Sequence, residues 1–141
     1  MRRNIKWYVE EHRKMFEWIA KQYDEGRAIS LCDLKFEYGN SHNYPMLNVV
    51  HNSLGCTFSN DYGLIGEDCK DSCLFVWVDL HGNRSGCSGS VTGELGRMRK
   101  YHFMQEGGLA KAAALARDIA NAPVRERWLK LMEEQEAKNE I

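Results

Sequence analysis

Residues 97–122, RMRKYHFMQEGGLAKAAALARDIANA, run from a basic and aromatic stretch through a double glycine into an alanine-rich one. Leu109, Ala112, Ala113, Ala116, Ile119 and Ala120 recur at spacings of three and four, which predicts a helix over 109–120 with a narrow stripe of small residues. Alanine on the buried side lets a helix sit close to its support, expected here to be a sheet. Upstream of the double glycine, Arg97–Phe103 reads as a strand presenting cations and rings together.

Working outward, Cys73–Leu80, CLFVWVDL, is dense in β-branched and aromatic residues and predicts a strand, reversed by the turn His81-Gly82-Asn83. Its partner is expected over Arg84–Thr92, where Cys87, Gly89 and Val91 share one face, and Gly93–Gly96 turns the chain into Arg97–Phe103. The result is a β-meander of three short antiparallel strands. After Asn121-Ala122-Pro123, Pro123 suits the start of a last helix carrying Val124, Trp128, Leu131 and Met132 on one face.

The N-terminal half opens on an amphipathic helix over 4–24. Ile5, Tyr8, Val9, His12, Met15, Phe16, Ile19, Ala20 and Tyr23 occupy one face, and Asp24-Glu25-Gly26 ends the helix by glycine capping. Trp7 and Trp18, eleven residues apart, fall nearly in line on another face at about 3.6 residues per turn. They need a second cover, from this chain or from an oligomer or partner interface. Ala28–Tyr38 reads as a strand through the imperfect alternation of Ile29, Leu31, Leu34 and Phe36, closed by Gly39-Asn40-Ser41. Tyr44–Leu54 leans towards a short helix, and Cys56–Asn60 towards a brief strand. The expected class is therefore α+β: an N-terminal amphipathic helix, a short antiparallel sheet, and two C-terminal helices. Residues 1–141 are read as a single domain, with mainly strands and loops over 28–104 and two helices over 107–139.

With 141 residues and a net charge of −1, the chain is not a uniformly basic nucleic-acid binder, but its charge is uneven. Between Asp33 and Asp79, seven acids face Lys35 and Lys70; between Arg84 and Arg117, six cations face Glu94 and Glu106. The N-terminus goes straight into charged helix, and no apolar run approaches the roughly 20 residues that span a bilayer, so a cytoplasmic protein without membrane contact is expected. The five cysteines are odd in number, which argues against a disulfide framework. Cys69 and Cys73, with Cys56 and Cys87, have a spacing tolerable for zinc, but buried thiols need no extra assumption, and no metal or cofactor is expected.

The strand Phe75-Val76-Trp77-Val78-Asp79-Leu80, the turn Gly82-Asn83, the strand end Lys100-Tyr101-His102-Phe103, and the glycines and helix Gly107–Asp118 occur in a telling order. That order resembles the Apetala-type (ethylene-response-factor-like) DNA-binding domain of plant transcription factors, phage integrases and homing endonucleases, over roughly residues 73–120. The resemblance implies a sheet braced by the alanine helix and used on DNA. The middle strand departs from the family, since Ser85-Gly86-Cys87-Ser88-Gly89-Ser90 has none of the Arg and Trp side chains with which members read the major groove. Contact with phosphates, with stacking through Tyr101 or His102, is the reading that remains.

No nucleophile elbow, phosphate-binding glycine loop, paired metal histidines or zinc-protease helix occurs, and His12, His42, His51, His81 and His102 are scattered. His12, on the apolar face of the first helix, reads as a core histidine. The expected function is that of a non-catalytic phage-type protein that binds nucleic acid or a nucleotide-like anion through Arg84, Arg97, Arg99, Lys100, Tyr101, His102 and Arg117. The rival expectation is a phage-encoded inhibitor of a host defence protein, or a protein sequestering a small nucleotide signal, acting as a homo-oligomer through Trp7 and Trp18.

Overall fold

The computed structural model describes residues 2–42, 54–64, 72–78, 84–85 and 108–139. They form five helices and one short strand pair: α1 (Ile5–Asp24), α2 (Leu31–Ser41), α3 (Leu54–Asp61), β1 (Trp77–Val78), β2 (Arg84–Ser85), α4 (Gly108–Ala120) and α5 (Glu126–Asn139). The fold is predominantly helical, which overturns the α+β expectation and its three-stranded sheet.

α1 organises the rest. All nine residues assigned to its apolar face are buried, joined by Glu11 and Gln22 at the edges. Its most extensive contact is with α4, and α2, α3 and α5 also pack on it. Of the expected small-residue stripe of α4, Ala112, Ala113, Ala116, Ile119 and Ala120 are buried, with Leu115 added and Leu109 partly buried, but the stripe lies against a helix and not a sheet. Small side chains suit this packing: α1 carries fully buried Phe16, Met15 and Ile19, and buried Ala112, Ala113, Ala116 and Ala120 let the α4 backbone sit close to its neighbour.

Two segments expected as strands are helices. In α2 Leu31, Leu34, Lys35, Tyr38 and Gly39 are buried, a three-four-seven-eight spacing, while Phe36 is 47% exposed. Ser30 caps the helix by accepting the Asp33 backbone N–H at 3.2 Å. The helix runs through Gly39 and Asn40 to Ser41, where the turn was expected. In α3, Leu54, Thr57 and Phe58 are buried at helical spacing, so the brief strand over 56–60 is also corrected. Of the expected helix over 44–54, residues 44–53 lie outside the described residues.

α1 and α3 stop in the same way. Past α1, Gly26 takes φ +90°, Gly26 N–H donates to Tyr23 O and Arg27 N–H to Gln22 O, the paired bonds of a Schellman motif. Past α3, Gly63 takes φ +70°, with Gly63 N–H donating to Asn60 O and Leu64 N–H to Ser59 O. These are positions where a side chain would be strained by the backbone alone.

The segment expected to lead the meander mainly serves the helices. Val76 N–H donates to Pro123 O at 2.8 Å, Arg125 N–H donates to Leu74 O at 2.9 Å, and Phe75 pairs antiparallel with Val124. Arg125 Nε donates to Cys73 O, and the Trp128 indole N–H donates to Ser72 O. The link between α4 and α5 is thus the edge partner of residues 74–76, and α5 begins at Glu126, beyond Pro123. A hairpin pairing does follow, with Trp77 opposite Ser85 and Val78 opposite Arg84. Among the described residues it extends over two residues on each side. The expected third strand, Arg97–Phe103, lies outside the described residues.

Candidate functional site

Arg84 sits in β2, one residue pair beyond buried Trp77, so the start of the basic region is joined to the helical body through the β1–β2 pair. Arg97, Arg99, Lys100, Tyr101 and His102 lie outside the described residues, in the connection between β2 and α4. Arg117 is on the exposed side of α4 and forms an ion pair with Asp24 in the last turn of α1. That hydrogen-bonded carboxylate raises the guanidinium pKa further above its ordinary value. The pair links α4 to α1 across the outside of their interface, and it gives Arg117 a carboxylate that any other anion must displace.

The two aligned tryptophans are both partly buried against the chain's own core. Trp18 leans on Tyr38 of α2 with ring centroids 5.5 Å apart. Trp7 meets the edge of Tyr8 at 5.0 Å and carries the Arg3 guanidinium 4.0 Å above its ring. α2 and the N-terminal residues therefore supply cover from within the chain.

His12 is fully buried, with its ring 4.0 Å from that of Phe75 and 5.0 Å from that of Phe16. Its Nε2 lies 2.8 Å from Ile119 O. A carbonyl oxygen only accepts, so Nε2 carries the proton and the imidazole donates to α4. His12 thereby fixes the α1–α4 register from inside the core.

Cys73 is half-buried beside buried Leu74. Cys56 falls in α3, and Cys69 and Cys87 lie outside the described residues. Among the described residues, no three His, Cys, Asp or Glu side chains come together as a metal set. Nor does any described helix have the length and apolar character to cross a membrane.

The most connected polar arrangement is one that sequence reasoning did not find. The Tyr8 hydroxyl donates to Asp61 Oδ2 at 2.6 Å and accepts the Arg3 N–H at 3.1 Å. Burial, then the hydrogen bond to Asp61, pushes the Tyr8 pKa up to about 12. The Tyr62 hydroxyl donates to Arg3 O at 2.7 Å and accepts from Gln135 Nε2 at 2.9 Å, while Gln135 Oε1 accepts the Ile5 N–H at 2.9 Å. The rings of Tyr8, Phe58, Tyr62 and Trp128 pack edge-on or tilted beneath these bonds. Arg2 lies 4.1 Å above the Tyr62 ring and Arg127 4.2 Å above that of Trp128. This corner joins the start of α1 to α3 and α5. Its partners stand tens of residues apart in sequence, so no local motif announces it.

The chain matches no known protein family, curated protein or solved structure.

Proposed function

We propose that this chain is a non-catalytic binding protein that takes nucleic acid or a nucleotide-like anion on the basic and aromatic connection between β2 and α4. The observation that carries the reading is that Arg97, Arg99 and Lys100 run directly into Tyr101 and His102, in a region where cations outnumber acids six to two. Cations engage phosphates, and neighbouring rings stack on bases without demanding a sequence. The described body is consistent with a carrier for such a segment. β1–β2 and α4 bracket it, and the small-residue face of α4 is already used against α1. The Apetala likeness enters only as local sequence similarity, since its braced sheet is not the architecture of the body. We place the activity in the cytoplasm.

The test is a mobility-shift titration at low salt with duplex and single-stranded oligonucleotides. Binding that weakens steeply as salt approaches physiological strength is expected. No shift with either oligonucleotide contradicts the reading.

A further inference from the structure

Four cations of the helical body have carboxylates. Lys6 lies 3.7 Å from Glu10 and 3.5 Å from Glu136, Lys14 lies 3.6 Å from Glu11, Arg27 is bidentate on Glu37, and Arg117 holds Asp24. Arg2 and Arg3 differ. Both are exposed, neither has a carboxylate within ion-pair distance among the described residues, and each guanidinium carbon lies over a ring, 4.1 Å from the Tyr62 centroid and 4.0 Å from that of Trp7. The nearby acid, Asp61, already accepts the Tyr8 hydroxyl.

A surface arginine near a chain end is ordinarily loose, and ordering it for a ligand costs rotamer entropy. Here that cost is largely met before any ligand arrives. The Arg3 N–H donates to one tyrosine hydroxyl and its carbonyl accepts from another, so the backbone that carries both side chains is pinned at two points. Stacking on a ring uses the guanidinium face and leaves its in-plane N–H donors at the edge, the geometry with which arginine forks phosphate oxygens. The first turn of α1 contains no acidic residue to compete.

We propose that Arg2 and Arg3, held on Tyr62 and Trp7, form a phosphate-binding site that takes the backbone of a single-stranded nucleic acid; the ligand class rests on the polyanion reading above. A membrane surface fits less well, because among the described residues Phe36 and Leu129 are the exposed large apolar side chains, and the rings under Arg2 and Arg3 are Tyr62 and Trp7.

The experiment follows oligothymidylate binding by fluorescence anisotropy and, in parallel, the Trp7 indole N–H resonance, assigned with Trp7→Phe. Five proteins are compared: wild type, Arg2→Ala/Arg3→Ala, Arg2→Lys/Arg3→Lys, Arg97→Ala/Arg99→Ala/Lys100→Ala, and Arg13→Ala/Lys21→Ala as a charge-matched control on α1. The site predicts that the Trp7 resonance shifts on titration in wild type and still shifts in the Arg97/Arg99/Lys100 variant. In Arg2→Ala/Arg3→Ala, affinity at low salt should fall about fivefold or more and the salt slope by about 1.4, two single-strand phosphates' worth. Arg2→Lys/Arg3→Lys, which keeps charge but loses the fork, should recover only part of this.

If the Trp7 resonance stays still while oligonucleotide binds, or the control loses as much affinity as the Arg2/Arg3 variant, this site is wrong and the Arg97–His102 reading survives. If binding depends on Arg2 and Arg3 but not on Arg97, Arg99 and Lys100, the site stands and that reading falls. Binding to anionic phospholipid vesicles but to no oligonucleotide contradicts both.

Discussion

The α1–α4 interface and the corner where α1 meets α3 and α5 hold the same helix by opposite means. α1 packs most extensively on α4, whose buried face is largely alanine, and the two are joined by a buried hydrogen bond from His12 to Ile119 O. Against α3 and α5 it relies on Tyr8, Asp61, Tyr62 and Gln135, whose bonds reach back to the backbone of Arg3 and Ile5. The first arrangement is dominated by burial and supplies most of the stability. The second is dominated by satisfied polar groups, which fix one geometry and add less net stability each.

This contrast predicts a graded response to substitution. Phe16→Ala, which empties the packed side, should cost about 3–5 kcal/mol in urea unfolding. Tyr8→Phe removes a donor from Asp61 and an acceptor from Arg3 N–H without emptying the core, so a smaller loss of about 1.5–3 kcal/mol is expected. A loss equal to that of Phe16→Ala would show that the corner, and not the α1–α4 face, carries the fold.

The same tyrosine sets an alkaline limit. Its folded pKa of about 12 lies above the ordinary value of 10, as does that of Tyr38, raised by burial and by the Glu11 charge to about 12. A group raised on folding lends stability that is fully present below its unfolded pKa and is lost as pH rises through the folded one. Stability should therefore decline between pH 10 and about 12, and Tyr8→Phe should flatten that decline. An unchanged alkaline profile in the variant would contradict the raised Tyr8 pKa that burial and the Asp61 bond produce.

Smaller effects are expected where helices end. At Gly26 an added Cβ would meet nothing within 4 Å, so Gly26→Ala tests backbone strain alone and should cost about 1–2 kcal/mol. Ser30→Ala, which removes the α2 cap, should cost about 1 kcal/mol. The least consequence is expected from Arg117→Ala, whose ion pair with Asp24 is solvent-exposed; its thermal midpoint should move less than that of either cap variant.

The apolar face of α1 was legible because nine large residues hold one helical spacing for twenty residues. The stripe of α4 was equally legible, but spacing identifies a buried face and not what meets it, and a sheet was expected where α1 lies. α2 misled for a local reason. Ile29 and Leu31 alternate, as do Leu34 and Phe36, but the two pairs fall on opposite faces of a strand, and the buried helical set includes Lys35, whose charge disguised it. Ser30 followed by Asp33 was the overlooked start signal. The Tyr8–Asp61 corner had no sequence signal because it is assembled by tertiary packing across 53 residues.

The most direct measurement is the salt dependence of oligothymidylate affinity in wild type and in Arg97→Ala/Arg99→Ala/Lys100→Ala. Phosphate binding by that segment predicts a log–log slope shallower by about 2 in the variant, three phosphates at about 0.7 each. Equal slopes and equal affinities in the two proteins would contradict it.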